Sequence, residues 1–137
     1  MKILIIEDEP DLAQNIANYM NSENYRCEFA TTYAQAIVKI DSYNYDCILL
    51  DLMLPGGNGL RVLNHLKDIG RQEGVIIISA KNSIEDKVAG LQIGAYDYLA
   101  KPFHLSELAA RIHSVVRRKQ FGNANIIEQH ELRIDTL

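Results

Sequence analysis

Cysteine is scarce in this chain: among 137 residues only Cys27 and Cys47 carry a thiol, in neither CxxC nor metal-ligand spacing. That excludes a disulfide scaffold and a thiolate metal site, and two reduced thiols in a cytoplasmic protein are expected. The four histidines lack His-x3-His or similar spacing, so they read as surface residues and not as a metal set. No apolar run approaches the ~20 residues that span a bilayer. A predicted strand begins at Lys2, so a signal peptide is not expected either. Excess positive charge is also missing: a net charge of −4 argues against nucleic-acid binding by these residues alone. No internal repeat or low-complexity segment interrupts the pattern. What remains is an ordinary globular composition, 47% hydrophobic and 23% charged, on a chain long enough to bury one core.

Within it, Cys47-Ile48-Leu49-Leu50 is continuously apolar, ends at Asp51, and is followed by Pro55-Gly56-Gly57. A strand buried on both faces of a parallel sheet reads this way. Lys2–Ile6 and Val75–Ile78 are similar runs, closed by Glu7-Asp8-Glu9 and Ser79. Tyr25–Ala30 and Tyr98–Ala100 are shorter strands. Between them lie helical patterns. Pro10 suits a first turn, followed by a stripe of Leu12, Ile16, Tyr19 and Met20. Thr32-x-x-Gln35 is a capping box ahead of Ala36, Ile37 and Ile40. Asn58 is the expected cap of a third helix with Val62, Leu63, Leu66 and Ile69 inward, stopped near Gly70. A fourth helix spans about Ser83 to Gly94, and a fifth starts near Leu105 with Leu108, Ile112, Val115 and Val116 inward. This is βα five times over. It predicts an α/β, flavodoxin-like (βα)5 doubly wound parallel sheet of strand order 2-1-3-4-5. After Lys119 the pattern changes: 121–125 read as a linker, and 131–137 alternate like the first strand of another domain. The chain looks cut from a longer one.

In that topology the carboxyl ends of neighbouring strands converge, bringing together Glu7, Asp8, Asp51, Ser79 and Lys101. Three clustered carboxylates need a cation to stay ionised, and an all-oxygen set with a backbone carbonyl available suits Mg²⁺. Lys101 adds a positive charge and Ser79 a hydroxyl. Such a site can hold a phosphoryl group on Asp51, with metal and lysine offsetting charge as the carboxylate attacks phosphorus.

Over roughly residues 2 to 120 the sequence resembles the receiver domain of bacterial two-component response regulators. The resemblance lies in Ile3–Glu9, Leu49–Gly56, Ile78–Lys81 and Gly94–Phe103. It implies that Asp51 accepts a phosphoryl group from a sensor histidine kinase. It also implies that Asp8, Asp51 and the Met53 carbonyl ligate Mg²⁺, with Glu7 acting through a water. Lys101 would pair with the phosphoryl group, its bond to Pro102 would be cis, and Ser79 and Tyr98 would be the switch pair. The nearer resemblance is to the OmpR/PhoB-type subfamily, which implies a phosphorylation-dependent homodimer through the fourth helix, fifth strand and fifth helix. Ile84, Lys87, Leu91, Asp97, Glu107, Ala110 and Arg111 are its expected face, Lys87 pairing with Glu107 and Asp97 with Arg111 across the dimer. Tyr96 departs from the acidic residue common at its position, removing one ion pair. Residues 1–120 would form the receiver and 121–137 the linker and start of a truncated winged-helix domain. DNA would be bound only through that missing domain, which the receiver would control as part of a transcription factor.

Two other classes compete. A phosphatase of the haloacid-dehalogenase type needs a second aspartate two residues after the nucleophile as general acid, where this chain has Met53. The chain is therefore expected not to be an enzyme beyond promoting its own phosphotransfer and slow autodephosphorylation. A degenerate receiver, acting as a phosphorylation-independent interaction module, loses the acidic pair, the aspartate or the lysine; none is lost here.

Overall fold

Alternation of side chains along three apolar strands gives the molecule two cores. The computed structural model describes residues 1–55, 57–80 and 84–130, with side chains at all of these except 57–58 and 119–130. The main strands are β1 (Lys2–Ile6), β2 (Arg26–Ala30), β3 (Cys47–Asp51), β4 (Gly74–Ser79) and β5 (Asp97–Ala100). They form one sheet of order β2-β1-β3-β4-β5, every pair parallel. The helices are α1 (Pro10–Asn21), α2 (Tyr33–Ser42), α3 (Leu60–Asp68), α4 (Ile84–Ile93) and α5 (Leu105–His130). The expected architecture and strand order are those observed.

Ile3 and Ile5 of β1, Leu49 of β3, and Ile76 and Ile78 of β4 project to the side covered by α1 and α5, meeting Ile16, Met20, Leu108 and Ile112. Leu4, Ile6, Ile48, Leu50, Val75 and Ile77 project to the opposite side, meeting Ile40, Val62, Leu63 and Leu66. Each strand thus feeds both layers, as a period of two residues on a doubly covered sheet requires. The sheet's carboxyl edge is thereby held rigid from both faces.

Local details depart from the sequence reading in informative ways. Thr32 caps α2 by accepting from the Gln35 amide at 3.1 Å. The returning arm of Gln35 reaches the amide of Thr31 at 2.8 Å, one residue before the position a reciprocal box uses. The N-cap of α3 is Gly59, without a side-chain cap, and Asn58 instead pairs with Met53 in a two-residue antiparallel ladder. Ile69 is exposed, not inward. The helix ends at Asp68; Gly70 then takes a positive φ of 74°, and the Arg71 amide bonds back to the Leu66 carbonyl at 2.9 Å, a helix-ending turn that rotates Ile69 outward. α5 continues through 121–130, where a linker was expected. Extending an existing helix needs no new nucleus, and the ~1 kcal/mol cost of Gly122 in a helix interior is tolerable. The strand expected at 131–137 and the helix start at Ser83 lie outside the described residues.

Two of the histidines are more than surface decoration. His65 Nε2 stands 2.8 Å from Asp41 Oδ1. His113 bridges the Tyr25 hydroxyl at 2.8 Å and Glu23 at 2.6 Å, tying α5 to the α1–β2 turn. Cys47 is buried while Cys27 is only partly so.

Candidate functional site

Asp51 is the last residue of β3 and, although charged, is only 3% exposed. Its carboxylate is held at both oxygens. The Met53 amide donates to Oδ1 at 2.9 Å, and Lys101 Nζ donates to Oδ2 at 2.9 Å. Lys101 follows the end of β5, where its amide bonds to the Ser79 carbonyl at 2.9 Å, and its peptide bond to Pro102 is cis, as the resemblance implied. Parallel pairing of β3, β4 and β5 therefore aims Asp51, Ser79 and Lys101 at one edge.

Glu7, just past β1, completes the charge balance. It is 1% exposed, and its Oε2 accepts the Glu9 amide at 3.1 Å. Burial raises the Glu7 pKa most, with the Asp51 charge adding to it, while the Lys101 and Glu9 contacts pull it down. Burial also works against the charge on Lys101, but its bonds to Glu7 and Asp51 outweigh that, and the ammonium is held charged well above its usual range. The ammonium is the counter-ion that a carboxylate at a buried strand tip requires.

Oxygens of Glu7, Asp8 and Asp51 all come within 4.8 Å of one another, Asp8 being the exposed member. Glu7 Oε1 is buried and pairs with Lys101 Nζ at 2.8 Å. Three carboxylates clustered this closely are a donor set that fits a hard divalent cation such as Mg²⁺. Met53, at the mouth, is exposed.

Ser79 is fully buried. Tyr98 is buried too; burial raises the pKa of its phenol, opposed by a hydrogen bond to Ser79. The Tyr98 ring faces the interior, with Lys87 Nζ 5.8 Å from its centre. On the outer surface, Ile84 is 78% exposed and Val88 and Leu91 are nearly half exposed, so α4 presents an apolar strip. Arg111 binds both Asp97 and Glu107, the latter at 3.2 Å, within one chain. The Asp97–Arg111 pairing expected across a dimer is therefore made here by two residues of the same molecule, because both lie on adjacent elements of one face. Ala110 is exposed beside them.

Three features escaped the sequence reading. Glu9, 3.4 Å from Lys101 Nζ, is a third acidic neighbour of the lysine; the unbroken acidic triplet was its only signal. Gly59 packs against the backbone of Asp51 and Leu52. Arg71 joins Glu73 to the carbonyls of Ile40 and Tyr43, stapling the end of α2 to the start of β4.

The model of the response regulator receiver domain family matches residues 3–113. The chain belongs to that family. The receiver is 38% identical over 135 residues to the transcriptional regulatory protein PmrA of Pectobacterium parmentieri, covering 98% of this chain and 61% of the relative. It is 42% identical over 134 residues to the response regulator ArlR of Staphylococcus saprophyticus, covering 98% and 60%. It is also 39% identical over 135 residues to the cell cycle response regulator CtrA of Brucella ovis, covering 98% and 58%. The chain thus spans about three fifths of the length of these curated relatives. Among solved structures it resembles the Francisella response regulator 1452 receiver domain, with a TM-score of 0.82 at 34% identity, covering 86% of this chain and 98% of that one. It also resembles the BeF3-activated N-terminal receiver domain of Klebsiella pneumoniae RstA, with a TM-score of 0.78 at 28% identity, covering 85% and 99%. Among the described residues no helix is long and apolar enough to cross a membrane.

Proposed function

We infer that this receiver accepts a phosphoryl group on Asp51 from a sensor histidine kinase in the cytoplasm and passes the signal to a C-terminal DNA-binding domain. The observation that carries this reading is the buried Asp51 carboxylate fixed 2.9 Å from Lys101 Nζ. The strand tip and the Met53 amide orient the carboxylate, so little motion separates it from an attacking geometry. An Asp51 oxygen forms the bond to phosphorus as the donor's bond breaks. Lys101, held charged, answers the negative charge gathering on the phosphoryl oxygens, and the Ser79 hydroxyl is the nearby neutral donor. Glu7, Asp8, Asp51 and the Met53 carbonyl would hold Mg²⁺, which when bound offsets phosphoryl charge as a Lewis acid.

The phosphoryl group brings about −1.5 to −2 charges, drawing Ser79 and Lys101 toward it and favouring the inward Tyr98. The face of Ile84, Lys87, Leu91, Asp97, Glu107, Ala110 and Arg111 then pairs with a second copy about a two-fold axis. An OmpR/PhoB-type protein, with residues 1–120 as receiver and 121–137 leading into a winged helix, fits relatives named as transcriptional and response regulators. The alternative, second reading is a degenerate receiver acting as a phosphorylation-independent interaction module, against which the acidic pair, Asp51 and Lys101 are all present.

Intact mass after incubation with phosphoramidate and Mg²⁺ decides between them. Wild type should gain one phosphoryl group and Asp51→Asn none. A mutant loading at the wild-type rate would overturn the assignment, and a wild type that never loads would favour the second reading.

A further inference from the structure

The acidic triplet after β1 leaves one carboxylate without a part in this chemistry. The Glu9 side chain is 63% exposed, and its Oε1 lies 3.4 Å from Lys101 Nζ. The same residue lines a groove of about 480 Å³ whose other walls are Leu12, Ala80, Lys101, Pro102 and Phe103. Lys101 belongs both to this groove and to the ion pair with Asp51, so the groove adjoins the reacting carboxylate. Asp51 is buried. In an in-line displacement the leaving group therefore departs on the solvent side, and Glu9 is exposed beside the lysine that pairs with Asp51. Among the described residues that line the groove, Glu9 is the one carboxylate and Lys101 the one ammonium, the others being apolar. Glu9 stands largely in solvent, so its effect on a neighbouring charge is modest and is screened by salt.

We propose that Glu9 selects phosphoryl donors by the charge of their leaving group, favouring nitrogen-bound donors over acyl phosphates. The inference rests on the reading of Asp51 as phosphoacceptor. With a nitrogen donor, the new bond joins an Asp51 oxygen to phosphorus while the P–N bond breaks. The nitrogen, already protonated, keeps the bonding pair and leaves as a neutral amine or imidazole. Its positive charge in the bound donor is attracted by Glu9. With an acyl phosphate the P–O bond breaks and the pair departs on a carboxylate, so negative charge grows facing Glu9. The same side chain thus helps one class to bind and opposes the departure of the other. It acts as a positioning and selectivity residue, and the bond-making atoms remain those of Asp51.

The test is the rate of mass gain with acetyl phosphate and with phosphoramidate, at low and high salt, for wild type, Glu9→Gln and Glu9→Ala. Glutamine keeps an oxygen that can accept from Lys101, so it removes charge while preserving that contact. Expected is a rise in the acetyl phosphate rate on the order of 2–5-fold at low salt, with the phosphoramidate rate unchanged or lower. That gap should close near 1 M salt, where screening extends to about 3 Å. Equal changes for both donors, or a gap indifferent to salt, would overturn donor selection while leaving the Asp51 reading intact. Failure of wild type to load from either donor would overturn both together.

Discussion

Gly59 rests directly on the backbone of Asp51: a Cβ at position 59 would come within 2.5 Å of the Asp51 carbonyl oxygen and 2.7 Å of the Leu52 Cα. Its amide also donates to the Leu52 carbonyl at 2.8 Å. Backbone cannot yield as a flexible side-chain tip does, so Gly59→Ala must push the loop that carries the nucleophile. The expected outcome is a loss of about 1–3 kcal/mol in urea unfolding, with slower phosphorylation of the folded fraction. Gly90→Ala is the contrasting case. There the new methyl meets side-chain ends, Ile77 Cδ1 closely and Leu60 Cδ2 at 4.0 Å, and not the loop of the nucleophile, so stability should fall while phosphorylation of the folded fraction holds.

Asp8 is the exposed member of the carboxylate cluster, whereas Glu7 and Asp51 already share Lys101. Asp8→Asn should therefore raise the melting temperature of the metal-free protein by relieving like-charge repulsion. In wild type, Mg²⁺ at ~100 times its dissociation constant should add about 2.7 kcal/mol, and the mutant should need more metal for the same gain. Thermal melts over a Mg²⁺ series measure both, and a mutant less stable than wild type without metal would contradict the crowded-carboxylate picture.

Acid should weaken the staple between α2 and β4. Burial pushes the Glu73 pKa up, but the Arg71 bond and the Tyr45 amide outweigh it and hold it below the ordinary 4.5. A carboxylate with a depressed folded pKa contributes stability that is present above its unfolded pKa and lost as pH falls through the folded value. Glu73→Gln should thus cost about 1–3 kcal/mol near pH 7. The gap to wild type should shrink as pH drops below about 4.5. Chemical denaturation at pH 7, 5 and 3 would show it; a gap that widens in acid has the wrong sign.

On the proposed dimer face the apolar strip should outweigh the charges. Exposed ion pairs are worth ~0–1 kcal/mol each, and the two terminal nitrogens of Arg111 already bond Asp97 and Glu107 of its own chain. Ile84→Asp should abolish dimerisation in the presence of beryllofluoride, while Lys87→Ala only weakens it. Sedimentation of both variants with and without the mimic decides, and an Ile84→Asp protein that dimerises like wild type would show that this face is not the interface.

The order of strands and the set of residues at their tips were legible in the sequence because they follow from short-range rules. Continuous apolar runs alternating with helical stripes demand a doubly covered parallel sheet. In such a sheet Glu7, Asp51, Ser79 and Lys101 arrive at the same edge whatever their side chains do. Contacts between segments far apart in sequence were not legible. The fit of Gly59 under Asp51, the Arg71–Glu73 staple, the inward Tyr98 and the Lys101–Glu9 approach each depend on which rotamer packs beside which neighbour. No periodicity records that. Local ends also escaped, since Asn58 and Gly59 are both plausible helix starts until the ladder with Met53 takes the former. Sequence alone determined which chemistry the strand edge could hold; tertiary packing decided how tightly Asp51 is held and which groups face it, because burial and ion pairing act through space and not along the chain.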